Sequence, residues 1–172
     1  MTAKNHSLTM QKIIVIGCPG SGKSTFAKAL CLKTGIPLFH LDMLYWNSDR
    51  TTVEKAVFIK RLKSVLNKEE WIIDGNYAST MEMRLAACNT VFFLDYPTEV
   101  CLKGILARRG KQRSDMPWTE DPNFEDAEFI RFVENYASQT RPAVLELLGR
   151  HPEKELHIFT SRSEGEEFLS KL

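Results

Sequence analysis

The apolar positions of this chain fall into two alternating kinds of run. Short stretches dense in β-branched and aromatic residues occur at Ile13-Ile14-Val15-Ile16, Pro37-Leu38-Phe39-His40-Leu41, Trp71-Ile72-Ile73-Asp74, Val91-Phe92-Phe93-Leu94-Asp95 and Leu156-His157-Ile158-Phe159. Runs of this length and make-up read as strands buried inside a sheet. Between them lie stretches with apolar residues at helical spacing. One covers 25–32. A second places Val53, Ala56, Val57, Ile59, Leu62, Val65 and Leu66 on one helix, with Thr51 or Thr52 as its cap. Further helices are predicted near 79–87, from Pro97-Thr98 to Arg108-Arg109, from Asp126 to Leu148, and over Glu164–Lys171, with Pro142 kinking or breaking the long one. Strands alternating with helices predict an α/β fold: a doubly wound, parallel, five-stranded sheet with helices on both faces. Residues 110–125 lose all periodicity and collect Gly110, Pro117 and Pro122. A loop of that length suggests a short lid, at about 109–125.

The turn after the first strand carries the chemistry. Residues 17–24 read Gly-Cys-Pro-Gly-Ser-Gly-Lys-Ser, a full match to G-x-x-x-x-G-K-[ST], the phosphate-binding loop. It follows a strand and opens a helix, the context in which loop and helix amides converge on a phosphate chain. Gly17, Pro19, Gly20, Ser21, Gly22, Lys23, Ser24 and Thr25 are therefore expected to bind a nucleoside triphosphate. Lys23 would reach the β- and γ-phosphates, and the Ser24 hydroxyl would coordinate Mg²⁺. In doubly wound sheets ligands lie beyond the carboxyl ends of the strands, where Asp42, Asp74 and Asp95 also fall.

At 172 residues the chain has the length of one domain, expected over 12–172. Met1–Met10 is polar and lacks a signal-peptide core, so residues 1–11 read as a flexible extension. A net charge of +1 gives no electrostatic reason to expect nucleic acid or a membrane as main partner. No apolar run is long enough to span a bilayer. Cys18, Cys31, Cys88 and Cys101 have no metal-binding spacing and read as reduced thiols of a cytoplasmic protein, expected to be a monomer or weak dimer.

At these residues the chain resembles the adenylate-kinase-like P-loop kinases, over about 12–172. The likeness rests on Gly17–Ser24, on Ile72-Ile73-Asp74-Gly75, and on Phe93-Leu94-Asp95-Tyr96-Pro97. A closer match is to bacterial DNA topology modulation proteins, through His40-Leu41-Asp42-Met43-Leu44-Tyr45-Trp46, Trp71-Ile72-Ile73-Asp74-Gly75-Asn76-Tyr77, Asn135-Tyr136 and Thr140-Arg141-Pro142. The resemblance implies a kinase that uses ATP and Mg²⁺ and phosphorylates a small molecule. Asp74 becomes the metal-side carboxylate, against the alternative of satisfying the turn at Gly75. Asp42 becomes the acceptor-side carboxylate and base, against a cap or turn role. Arg108 and Arg109 become lid arginines that neutralise charge, rather than a solvated helix end. Arg113 and Lys111 follow them in the same basic run, Arg131 faces phosphate from the returning helix, and Arg162 marks the adenine-side loop. Tyr45, Trp46, Asn76 and Tyr77 lie beside the acceptor pocket, although aromatic residues at strand exits are more often core edge. His40 reads as a satisfied core histidine, and Asp95 as a capping residue.

One departure stands out. Nucleoside monophosphate kinases follow the Asp-Gly turn with Phe-Pro-Arg, whose arginine holds the acceptor phosphate. Here Asn76-Tyr77 stands instead, and the next arginine is Arg84. Either Arg84 substitutes from its short helix or the acceptor is a neutral hydroxyl compound. The alternative to a kinase is a nucleotide-binding regulator of DNA topology. Against it, the chain has no helix-turn-helix or zinc module, and its one basic run, 103–113, is explained equally well by the lid.

Overall fold

The computed structural model describes residues 10–121, 123 and 126–172, so most of the expected extension lies outside the described residues. Five strands, β1 (Lys12–Gly17), β2 (Leu38–His40), β3 (Trp71–Asp74), β4 (Thr90–Leu94) and β5 (Glu155–Phe159), form one all-parallel sheet ordered β2-β3-β1-β4-β5. Parallel neighbours require crossovers. Helices α1 (Lys23–Thr34), α2 (Leu41–Tyr45), α3 (Lys55–Leu66), α4 (Ala78–Ala87), α5 (Thr98–Arg108), α6 (Ala127–Asn135) and α7 (Arg141–Gly149) lie in those connections, and α8 (Arg162–Ser170) follows β5.

Alternation along the strands divides the apolar residues into two cores. Ile13, Val15, Ile72, Phe92 and Leu94 face Phe26 and Leu30 of α1, Cys101 and Ile105 of α5, and Val133 of α6. Ile14, Ile16, Trp71, Ile73 and Phe93 face Phe58 and Leu62 of α3, Leu85 of α4 and Leu148 of α7. Residues Ile13 to Ile16 are buried on both sides, which is why β1 reads as an unbroken apolar run. Each such side chain contributes about 1.5–3 kcal/mol on burial. β1 is also the point where the chain's course reverses: β3 and β2 lie to one side of it, β4 and β5 to the other. The crevice at its carboxyl end is where this topology puts a ligand.

Three sequence expectations are corrected, at Asp42, at the start of α3 and at Asp95, while the break expected at Pro142 is found. β2 stops at His40 and Asp42 sits in the first turn of α2, because Leu41 is fully buried and packs beneath Gly75. α3 starts at Lys55 without a side-chain cap. Thr51 instead donates to Asp49, and Thr52 bridges to Trp46. The long helix breaks ahead of Pro142, through a π-helical turn at Tyr136–Thr140, and Pro142 sits in the first turn of α7, where its missing N–H costs little. Among the described residues Asp95 caps no helix; it takes a two-pronged ion pair from Arg141, at 2.7–2.9 Å.

Candidate active site

The loop from Gly17 to Gly22 leaves β1 and enters α1, closed by a Ser21 amide to Cys18 carbonyl bond of 3.1 Å. Gly20 has φ of 83° and Gly22 of 94°, left-handed conformations that glycine adopts without a Cβ clash. Gly20 also lies against α5. A Cβ there would be 2.0 Å from the Cys101 carbonyl oxygen, and one on Gly104 would be 2.0 Å from that of Gly20. Two glycines thus let a helix backbone buttress the loop. Asn76 fixes its start from the turn after β3: Gly17 N–H donates to Asn76 Oδ1 at 3.1 Å, and Asn76 Nδ2 donates to Gly17 O at 2.7 Å. Lys23 Nζ donates to the Gly17 and Cys18 carbonyls at 2.9 and 3.1 Å. Burial lowers the pKa of Lys23, and the charge of Asp74 works against that shift.

Ser24, at the start of α1, places its Oγ 2.5 Å from Asp74 Oδ2, while Asp74 Oδ1 meets His40 Nδ1 at 2.6 Å. The two expected metal-side residues are thus adjacent, with Asp74 only 4% exposed. A hydroxyl and a carboxylate oxygen are hard donors that fit Mg²⁺. His40 is satisfied as expected, and its partner is Asp74 itself.

A cavity of about 640 Å³ opens from Lys23, Ser24 and Pro19 toward Asp42, Trp46, Asn76 and Tyr77. Across it the Tyr77 hydroxyl donates to Asp42 Oδ1 at 2.6 Å. Burial raises the pKa of Asp42, and the Tyr77 hydrogen bond limits the rise. Tyr77 itself has φ of 36°, unusual for a bulky residue. Arg108 and Arg109 of α5 and the following loop border the same cavity, with Arg50, Arg113 and Trp118. A second hollow on the other side of the loop touches Gly20, Gly22, Thr25, Lys28, Lys103 and Arg162.

Three expected site residues are not brought in. Tyr45 packs edge-on to Phe58 and Tyr77, as core edge, and is not among the residues lining the cavity. Arg131 lies on the exposed side of α6, whose Phe129, Ile130 and Phe132 border the cavity in its place. Arg84 is fully buried. It donates to Gly75 O at 2.9 Å, to Asn76 O, to Tyr77 O at 3.2 Å and to Thr80 Oγ1 at 3.3 Å. Burial draws its pKa down to about 10. This arginine holds the backbone that carries Asn76 and Tyr77 and has no face toward an acceptor. Arg84→Met is accordingly expected to lower stability by about 2–4 kcal/mol, because the carbonyls of Gly75 and Asn76 lose their charged donor while Tyr77 O keeps the Thr80 amide and hydroxyl. A urea denaturation midpoint unchanged from the parent, together with a raised acceptor KM, would return Arg84 to the acceptor site.

Sequence reasoning missed Asp115, Trp118 and Arg50. Asp115 is 4% exposed and sets Oδ2 2.9 Å from the Ser24 hydroxyl. Trp118 meets Trp46 edge-on at 5.9 Å and carries the Arg50 guanidinium over its ring at 5.2 Å. An Arg-x-Asp pair and a tryptophan inside an aperiodic loop were the available signals.

A glycine-rich loop between the central parallel strand and its helix, with a serine and a strand-end aspartate beside it, defines the P-loop NTPase fold. No protein-family profile matches the sequence. It is similar to the adenylate kinase of Rhizobium meliloti, with 30% identity over 138 residues that make up 75% of this chain and 68% of that protein. With the adenylate kinase of Thermotoga neapolitana it shares 31% identity over 110 residues, 60% of this chain. The chain belongs to the adenylate kinase family. It spans about half the length (49%) of the Thermotoga relatives it matches. Among solved structures, the shikimate kinase from Acinetobacter baumannii in complex with shikimate superimposes with a TM-score of 0.62 at 16% identity, covering 95% of this chain and 90% of that one. The Bacteroides thetaiotaomicron shikimate kinase gives 0.56 at 20% identity, over 95% and 96%. These likenesses carry the fold.

Proposed function

We propose that the protein is an ATP-dependent small-molecule kinase that transfers the γ-phosphoryl group of Mg-ATP to a hydroxyl of a small acceptor. The observation that carries this reading is that the Asp42 carboxylate and the loop residues Lys23 and Ser24 line one cavity. A site for binding nucleotide alone has no need of a tyrosine-held carboxylate opposite the phosphates. Family membership supports the donor side. On the acceptor side the relatives are named for adenylate and the structural neighbours for shikimate, so both nucleotides and hydroxy compounds enter the test.

In this reading the loop amides and Lys23 hold and orient the β- and γ-phosphates, and the oxygens of Ser24 and Asp74 would hold Mg²⁺. The metal, when bound, neutralises charge on the phosphates. Asp42 takes the proton from the attacking hydroxyl, and Tyr77 fixes which carboxylate oxygen is free to do so. Arg108 and Arg109 supply positive charge where it is needed as the phosphoryl group moves, and the aromatic walls at Trp46 and Trp118 exclude water.

An ADP-release screen against nucleoside monophosphates, nucleosides, sugars and small hydroxy acids tests this, with Lys23→Ala as blank. At least one class is expected to raise ADP release well above the blank. Tight ATP binding with no acceptor-dependent release, and DNA affinity that collapses as salt rises, would favour the regulator of DNA topology instead.

A further inference from the structure

The arginines that border the phosphate loop are already matched to carboxylates of their own lid. Arg113 donates through Nε and Nη2 to the two oxygens of Asp115, at 3.2 and 2.5 Å, and through Nη1 to Glu120 at 2.8 Å. Arg108 Nε lies 3.4 Å from the same Glu120, yet makes no hydrogen bond among the described residues. Asp115 reaches past this pair to the loop. Its Oδ2 is 2.9 Å from Ser24 Oγ, and its Oδ1 is 3.8 Å from Lys28 Nζ. Ser24 has one proton and two carboxylate claimants, since Asp74 Oδ2 lies 2.5 Å away. A buried anionic oxygen resting on the loop hydroxyl, between an arginine and a lysine, has the surroundings that a phosphate oxygen would need there.

We propose that Asp115 is a built-in competitor for the phosphate loop: a lid carboxylate that occupies Ser24 and is exchanged out when a triphosphate binds. The proposal rests on the reading of this loop as a triphosphate site. The exchange is of counter-ions. Arg113 and Arg108 give up Asp115 and Glu120 for phosphate oxygens, and Asp115 leaves because two anions cannot share one hydroxyl and one guanidinium without strong repulsion. The lid then closes on the donor only when the donor brings enough negative charge to replace what the lid carries. A nucleoside or a monophosphate displaces the latch poorly, which gives the site selectivity for polyphosphates.

The test is calorimetric titration of the full chain with a non-hydrolysable ATP analogue, once with Mg²⁺ and once with EDTA. Asp115→Asn is expected to bind the analogue about ten-fold more tightly than the parent in EDTA, where no metal masks the repulsion, and by a smaller factor with Mg²⁺. Asp115→Ser, which also removes the charge, carries the same expectation should the asparagine variant fail to fold, as judged by its melting transition. Equal or weaker binding in EDTA overturns the proposal. So does weakening confined to the Mg²⁺ titration, which would make Asp115 a metal ligand. Absence of binding by parent and variants in both buffers would remove the triphosphate reading of the loop, and the proposal with it.

Discussion

Replacing Lys23 with alanine is expected to cut ATP turnover by at least about 10³-fold and to weaken nucleotide binding by about ten-fold or more, the loss that follows removal of a preorganised cation facing a developing charge. The ammonium group donates to two loop carbonyls, Gly17 and Cys18, so it is already positioned over the loop rather than extended into solvent. That contact gives the substitution a second consequence. Two carbonyls lose a charged donor, and a modest fall in stability, about 1–2 kcal/mol, is expected as well. The two effects separate experimentally. Titration with the ATP analogue reads binding at a temperature where the variant's melting curve shows it folded, and steady-state ADP release reads turnover. Lys23→Arg discriminates further, because it keeps the charge but has a planar, longer head that cannot occupy the same gap between loop carbonyls. It is expected to retain folding and lose most of the activity. If Lys23→Ala bound and turned over ATP like the parent, the phosphate-loop reading would be wrong despite the motif.

Much of this architecture was legible from local pattern, for identifiable reasons. β1 and β4 are buried on both faces, so nothing interrupts their apolar runs, and the phosphate loop is a contiguous motif whose function depends on residues next to one another. What was not legible depends on distant approach. The acceptor-side departure turned on Arg84, which from its short helix reads as the substitute for the missing acceptor arginine unless the acceptor is a neutral hydroxyl compound. The burial of Arg84 becomes apparent only once the carbonyls of Gly75, Asn76 and Tyr77 are seen to converge on it. Asp115 lies in a segment without periodicity, and its contact with Ser24 spans 91 positions. α2 is five residues long, too short for a helical period to register, so Asp42 read as a strand end. The residues that matter most on the acceptor side are those whose meaning comes from tertiary contact, and there the motif gave no guidance.

Asp42→Asn is expected to leave binding of the ATP analogue within about two-fold of the parent and to lower kcat by about 10²–10⁴-fold, the range for loss of a positioned general base. The substitution is nearly isosteric and retains an oxygen to accept from Tyr77, so the 2.6 Å contact that fixes the side chain can survive it. What disappears is the capacity to take a proton. The pH profile gives an independent reading. Burial raises the pKa of Asp42 above its ordinary 3.8, and only the carboxylate form accepts the acceptor proton. In the parent, activity must therefore fall as pH drops through that raised pKa, and the fall must be absent from the residual activity of the asparagine variant. Tyr77→Phe sharpens the assignment. Its hydroxyl stabilises the carboxylate, so losing it raises the pKa of Asp42 further and moves the acidic limb of the profile to higher pH, with a smaller loss at the plateau. A purely structural role for the pair would lower activity at all pH values without moving the limb. Full phosphotransfer by Asp42→Asn, with an unchanged acidic limb, would take the base assignment away from Asp42 and leave it as an acceptor-orienting group.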